Sequence, residues 1–210
     1  MKTLICIPAM DMVHTAFMKS LLGLRIVGQA TYSIRCSSLI YDSRNSLVKE
    51  ALENGFDRIL WLDSDMVFDP DLMERLSARL DEGMDFVSGI YFKRKAPIRP
   101  VIYKDIGYYK DGENYTPAAI TYDDYPKDSV FPIKGCGFGC VMHTTALAKK
   151  VLDKYGLPFS PVMGFGEDLS FCGRLTELEI PMWCDSSIKA GHVSQGIVTE
   201  ENYTGGGADA

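Results

Sequence analysis

The chain has 210 residues, enough for one well-buried domain and short for two. Its hydrophobic share of 46% and charged share of 24% are those of an ordinary globular protein. A net charge of −6 argues against general attraction to nucleic acid or an anionic membrane, so a phosphorylated ligand would need a local cation, whether metal, Arg or Lys.

Leu4 to Ile7 reads as a short buried strand closed by Pro8. Val13, Phe17, Leu21 and Leu24 recur at helical spacing, and Ala30 to Ser37 alternates like a second strand. A helix is expected from about Ser43 to Asn54, with Leu47, Val48, Ala51 and Leu52 on one face and Asn54-Gly55 as its stop. The apolar run Arg58 to Leu62 is the next strand; Asp69-Pro70 reads as N-cap and first residue of a helix that turns Leu72, Met73, Leu76 and Leu80 inward. Asp85 to Tyr91 is a further strand. This alternation argues for a doubly wound, mostly parallel sheet with ligands at the carboxyl ends of its strands.

Residues 93 to 132 break the pattern. They are rich in Tyr, Pro, Asp and Lys, and read as an irregular, partly antiparallel insertion lying over the site. Ile133 to His143 is a glycine-broken strand, followed by a helix to Tyr155, a second helix over Glu167 to Leu178 and a strand from Pro181 to Asp185. The whole is expected as one domain of two halves, 1–92 and 93–193, with 194–210 as a flexible tail.

Six cysteines (Cys6, Cys36, Cys136, Cys140, Cys172, Cys184) fit neither a disulfide framework nor a zinc site, which points to free thiols in a reducing compartment. Pro8 and Asp11 interrupt the N-terminal apolar run before a signal peptide is complete, and no run approaches the ~20 residues of a membrane span. A soluble, cytoplasmic protein is expected.

The chemistry concentrates at few places. Asp63-Ser64-Asp65 ends an apolar strand; two carboxylates one residue apart can point to the same side and offer hard oxygen ligands to a divalent cation. Glu167-Asp168 opens a helix after Gly164-Phe165-Gly166, where the acids either favour the helix N-terminus or serve as a general base. His192, one of three histidines, is a candidate nitrogen ligand beside Asp65, whereas His14 and His143 read as packing or capping residues. Arg44-Asn45, expected at a helix start, suits a phosphate or faces solvent. Lys93-Arg94-Lys95 is either a phosphate-facing loop or a solvated basic turn.

In this order, Leu-Ile-Cys-Ile-Pro, Ser-Arg-Asn at 43 to 45, Leu-Asp-Ser-Asp, Gly-Phe-Gly-Glu-Asp-Leu-Ser-Phe-Cys and the late Gly-His resemble the GT-A glycosyltransferases from Leu4 to about His192. The resemblance implies a Rossmann-like central sheet and transfer of a sugar, as in a hexosyltransferase, from a nucleotide-diphosphate donor to an acceptor hydroxyl. It implies Mn²⁺ or Mg²⁺ held by Asp65, with Asp63 near the ribose or the metal's waters and His192 as a further ligand. Pro8, Ala9 and Arg44 would line the donor pocket with Asn45 and Ser64 beside them, and Asp168, or else Glu167, would be the base. The Gly135 to Cys140 strand and Trp183 would face the acceptor. The acceptor, whether sugar, lipid-linked glycan, protein or modified nucleic acid, stays open, as do stereochemistry and oligomeric state. Asp63-Ser64-Asp65-Met66-Val67 also fits a haloacid-dehalogenase-like phosphatase with Asp63 as nucleophile, and a nucleotidyltransferase or a non-catalytic sugar- or nucleotide-binding module are further alternatives.

Overall fold

A computed structural model describes residues 1–162, 164–194 and 197–203. The central sheet runs β2 (Gln29–Cys36), β1 (Lys2–Ala9), β3 (Arg58–Leu62), β10 (Cys140–Thr144), β5 (Phe86–Ile90), β11 (Met182–Val193). Every neighbour pair along this path is parallel except those of β10, which lies antiparallel between β3 and β5.

Strand alternation sorts the core into two layers. Leu4, Cys6, Ile59 and Trp61 point to one face, under α2 (Ile40–Glu53), α4 (Thr145–Tyr155) and α5 (Glu167–Glu177). Ile5, Ile7, Leu60 and Leu62 point to the other, under α1 (Thr15–Gly23) and α3 (Leu72–Asp81). The inward stripes read from the sequence are buried: Phe17 and Leu21 on α1, Leu47, Val48 and Ala51 on α2, Leu72, Met73, Leu76 and Leu80 on α3.

Several boundaries differ from the sequence expectation. α2 begins three residues earlier, at Ile40, so Arg44 lies in its second turn rather than at its start. Asp69-Pro70 does not begin α3; Asp71 is the N-cap, because Met66–Phe68 first forms β4 against β11. β11 extends well past Asp185: it pairs with β5 up to Asp185 and, after a register shift, again at Lys189, and then pairs antiparallel with β4. Trp183, expected to face the acceptor, sits level with Val87 in mid-sheet.

The insertion is more regular than its composition suggests. β6 (Ile102–Asp111) and β7 (Asn114–Thr121) form a hairpin that joins β9 (Gly135–Cys136) in a small antiparallel sheet, and β8 (Val130–Ile133) pairs with β11. The start of the expected tail is ordered too. β12 (Ile197–Val198) pairs with β11, Glu200 bridges Lys127 and Lys189, and Tyr203 packs on Phe92 with ring centroids 5.3 Å apart. Residues 195, 196 and 204–210 of that tail lie outside the described residues.

Candidate active site

The site forms at the carboxyl end of β3. Leu62 is the last strand residue, and Asp63 to Asp65 make a turn closed by the Met66 amide donating to the Asp63 carbonyl at 3.1 Å. Because this is a turn and not extended strand, the two carboxylates part. Asp63 Oδ1 accepts from Arg44 Nη2 at 3.0 Å, whereas Asp65 Oδ2 accepts from Arg94 Nη1 at 2.6 Å.

Arg44 is the electrostatic floor. It is 1% exposed, rests its guanidinium over the rings of Trp61, Phe138 and Phe159 at 5.5–5.7 Å, and turns its charged edge to three acids. Besides Asp63, these are Asp168 (Nη2 to Oδ1, 3.4 Å) and Glu167 (Nε to Oε1, 3.6 Å). One guanidinium cannot satisfy three carboxylates. Burial pushes Asp168 up to about 7 against the pull of Arg44, and repulsion from Glu167 and Asp63 adds to the rise. Asp63 is raised in the same way by burial. Arg44 Nε and Nη1 and Asp168 Oδ1 are buried without a hydrogen-bond partner.

Asp168 is brought here by α5, whose first turn carries both acids, and Asp168 Oδ2 accepts the Phe138 amide at 3.2 Å. Arg174, on the same helix, donates to the carbonyls of Pro158 and Ser160 and so holds the loop that leads into it. Gly164 in that loop has φ +91 and lies against Pro117 of the hairpin, where a Cβ would come within 2.8 Å of the ring; both the left-handed backbone and the packing on the insertion call for glycine.

His192 reaches the turn through strand register. It pairs with Met66, directly after Asp65, and the Val193 amide donates to the Asp65 carbonyl at 2.8 Å. Its Nδ1 lies 2.9 Å from the Phe92 carbonyl, which can only accept, so Nδ1 carries the proton and a neutral ring leaves a lone pair on Nε2. That Nε2 is 3.4 Å from Asp65 Oδ2. Burial would raise Asp65, but His192 and Arg94 outweigh it and leave the carboxylate below its ordinary range.

A cleft of about 530 Å³ opens over these groups, lined by Asp63, Asp65, Asp168 and His192 together with Tyr91, Val101 and the loop from Lys93 to Pro97. Pro8 and Ala9 end β1 against Arg35 and Cys36 and stand outside that lining, as do Glu167 and Ser64, whose carbonyl accepts the His14 amide. Asn45 turns away as well, accepting the Phe159 amide at 2.9 Å. Among the described residues no group of three or more His, Cys, Asp or Glu side chains is arranged to hold a metal ion. The triple expected of Asp63, Asp65 and His192 is here a facing pair, Asp65 and His192, because Arg44 draws Asp63 off.

No family model matches the chain, and no curated protein matches it by sequence. Among solved structures, the protein A197 from STIV superposes with a TM-score of 0.64 at 22% identity over 92% of this chain and 86% of its own. GalNAc-T7, solved with UDP, GalNAc and Mn²⁺, superposes with a TM-score of 0.57 at 9% identity over 96% of this chain; the match spans 46% of the GalNAc-T7 chain.

The chain has the GT-A fold.

In this GT-A fold the residue that sequence reasoning missed is Tyr91, 4% exposed, whose ring meets His192 edge-on at 5.6 Å and whose hydroxyl accepts the Gly139 amide at 3.2 Å. A Cβ at Gly137 would stand 2.0 Å from that hydroxyl, and one at Gly139 would stand 3.0 Å from Tyr91 Cζ. Alternating glycines in Gly-Cys-Gly-Phe-Gly-Cys were the available signal: one face of that segment must clear a large neighbour. No helix is long and apolar enough to cross a membrane among the described residues, and all six cysteines are free, five of them buried.

Proposed function

We propose that the chain is a divalent-metal-dependent glycosyltransferase that moves a sugar from a nucleotide-diphosphate donor to an acceptor hydroxyl. The observation that carries this reading is the convergence of Asp63, Asp65, Asp168 and His192 on one cleft at the carboxyl end of a GT-A sheet, although 127 positions separate His192 from Asp65 (192 − 65). The UDP, GalNAc and Mn²⁺ of the GalNAc-T7 structure support it by analogy of fold alone.

Asp65 and His192 fit a divalent cation: a carboxylate oxygen and the ring nitrogen not spent on the Phe92 carbonyl face each other at 3.4 Å, and the histidine is oriented by that carbonyl behind it. When bound there, Mn²⁺ or Mg²⁺ would supply Lewis-acid stabilisation to the departing diphosphate. The remaining work belongs to the protein. Arg44 holds Asp63 in place and balances part of the carboxylate charge. Asp168, which has no hydrogen bond at Oδ1 beyond its ion pair with Arg44 and is raised toward neutrality, is the group that takes the proton of the acceptor hydroxyl. Glu167 shares Arg44 and keeps Asp168 basic. Tyr91 fixes the His192 ring.

The phosphatase alternative has less support. Its motif ends the first strand of its fold, whereas here two strand–helix units precede β3. A panel of UDP, GDP, CDP and dTDP sugars, with and without Mn²⁺, tests the reading by thermal shift; a ligand at ~100-fold its dissociation constant stabilises by about 2.7 kcal/mol. A Mn²⁺-dependent shift that Asp65→Ala abolishes is expected. An equal shift in that variant removes the metal assignment. Phosphate release from a simple monoester, lost in Asp63→Asn, would favour the phosphatase, and transfer of the nucleotidyl rather than the glycosyl group would favour a nucleotidyltransferase.

A further inference from the structure

Three consecutive cations, Lys93, Arg94 and Lys95, line one wall of the cleft in a protein of net charge −6. They sit on a loop, Lys93 to Pro97, that is exposed along its length yet closed firmly at its base. There the Lys93 amide donates to the Arg99 carbonyl and the Val101 amide to the Tyr91 carbonyl, each at 2.9 Å, and Phe92 bridges Pro100. The base is therefore the same Phe92 whose carbonyl orients His192. A merely solvated turn would leave all three side chains in water. Instead Arg94, with its side chain still 52% exposed, closes to 2.6 Å on Asp65 Oδ2, the oxygen that faces His192 Nε2. Among the described residues neither Lys93 nor Lys95 has an ion-pair partner.

Two cations cannot share that oxygen at full strength. A dication between Asp65 and His192 would repel the guanidinium from Oδ2, because like charges at contact distance cost several kcal/mol near a protein surface. Displaced from Asp65, Arg94 keeps a long flexible stem, a planar fork suited to phosphate oxygens and two unpaired lysines as neighbours.

We propose that Lys93 to Lys95 is an exchangeable cation clamp, in which Arg94 neutralises Asp65 until a dication takes that oxygen and then closes with the lysines on the diphosphate of the incoming ligand. The identity of that anion as a nucleoside diphosphate rests on the transferase reading; the exchange at Asp65 does not. The clamp also couples the two binding events. Metal and diphosphate each bind more tightly when the other is present, since each improves the site for the other.

Two simple probes test it: Mn²⁺ alone, followed by the magnetic resonance signal of the free ion, and inorganic pyrophosphate titrated calorimetrically at saturating Mn²⁺. Arg94→Gln is expected to bind Mn²⁺ alone about tenfold more tightly than the parent and to hold pyrophosphate about tenfold more weakly, as the loss of a charge-assisted hydrogen bond implies. Lys93→Gln combined with Lys95→Gln is expected to leave Mn²⁺ binding unchanged and to weaken pyrophosphate. Arg94→Lys should recover part of the pyrophosphate affinity. An Arg94→Gln protein with unchanged or weaker Mn²⁺ binding overturns the exchange, as does failure of both proteins to bind Mn²⁺; unchanged pyrophosphate affinity overturns the clamp. If no sugar donor is ever turned over while both binding changes occur, the transferase reading falls and the clamp stands. Sugar transfer without either binding change has the opposite meaning.

Discussion

His143 and His192 lie in neighbouring parts of the same fold and end in opposite states. His143, on β10, is fully buried, stacked on Phe86 and near Phe171; its Nε2 accepts from Trp61 Nε1 at 2.8 Å and its Nδ1 lies 3.0 Å from the Thr144 carbonyl. His192 spends Nδ1 in the same way on a carbonyl, but its Nε2 faces a carboxylate in a cleft. The ring under the sheet has no coordination site left; the ring at its edge keeps one. Residue type does not distinguish them, but the partner of the second nitrogen does. Arg44 marks the border, with three aromatic rings on one side and three acids on the other.

The contrast is one of energetics too: the aromatic block is satisfied, whereas the cleft stores unfavourable charge. The largest expected effect tests that directly. Asp168→Asn should bind donor normally and lose transfer by roughly 10²–10⁴-fold, the usual worth of a positioned base. Retained turnover would rule Asp168 out as the base. The same variant should gain stability without ligand. Because the folded-state pKa of Asp168 is raised to about 7, the unfolded chain loses this proton first, and wild-type stability falls as pH rises from about 4 through 7. Above pH ~7 the variant should therefore be more stable by about 1–2 kcal/mol in urea unfolding, with the gain vanishing near pH 4.

Next comes the border. Arg44→Met keeps the packing on Trp61 and Phe138 but leaves Asp63, Glu167 and Asp168 facing one another; a loss of about 3 kcal/mol or more is expected, as for other broken buried pairs. A near-neutral denaturation midpoint would show that the carboxylates relax into solvent.

His143 should show the reverse pH slope to Asp168. Burial lowers it to about 4, so its neutral form stabilises the fold above the unfolded value near 6.5, and that stability is lost as pH falls from about 6.5 to 4. The shift corresponds to roughly 3 kcal/mol. His143→Gln should flatten this limb; an unchanged slope would mean the ring already carries charge.

The smallest effect concerns the strap at 200–203. Lys127, Lys189 and Tyr125 outweigh burial and hold Glu200 down to about 2. Glu200→Gln should cost about 1 kcal/mol or less, given how exposed the two lysines are. It should also raise hydrogen exchange at Phe92, on which Tyr203 packs.

The layering of this protein follows from the sequence alone. Period-two strands and the helical stripes of Phe17, Leu47 and Leu76 set which faces are buried, because local spacing decides orientation once an element forms. The Asp63 and Asp65 candidates were legible for a similar reason, since two acids that end an apolar strand have few structural uses, whereas Asp168 was offered by its place at a helix start and His192 by the late Gly-His. What needed the tertiary structure was everything that depends on a partner remote in sequence. Arg44 could be read as phosphate-binding or solvated; it is not solvated, since its helix begins three residues early and turns it inward onto three carboxylates. Arg94 could not be assigned, because only the return of the chain through Phe92 and Pro100 brings its loop to Asp65. The pairing of β4 with β11 adds the last part, setting His192 beside the turn by a register that no local pattern encodes.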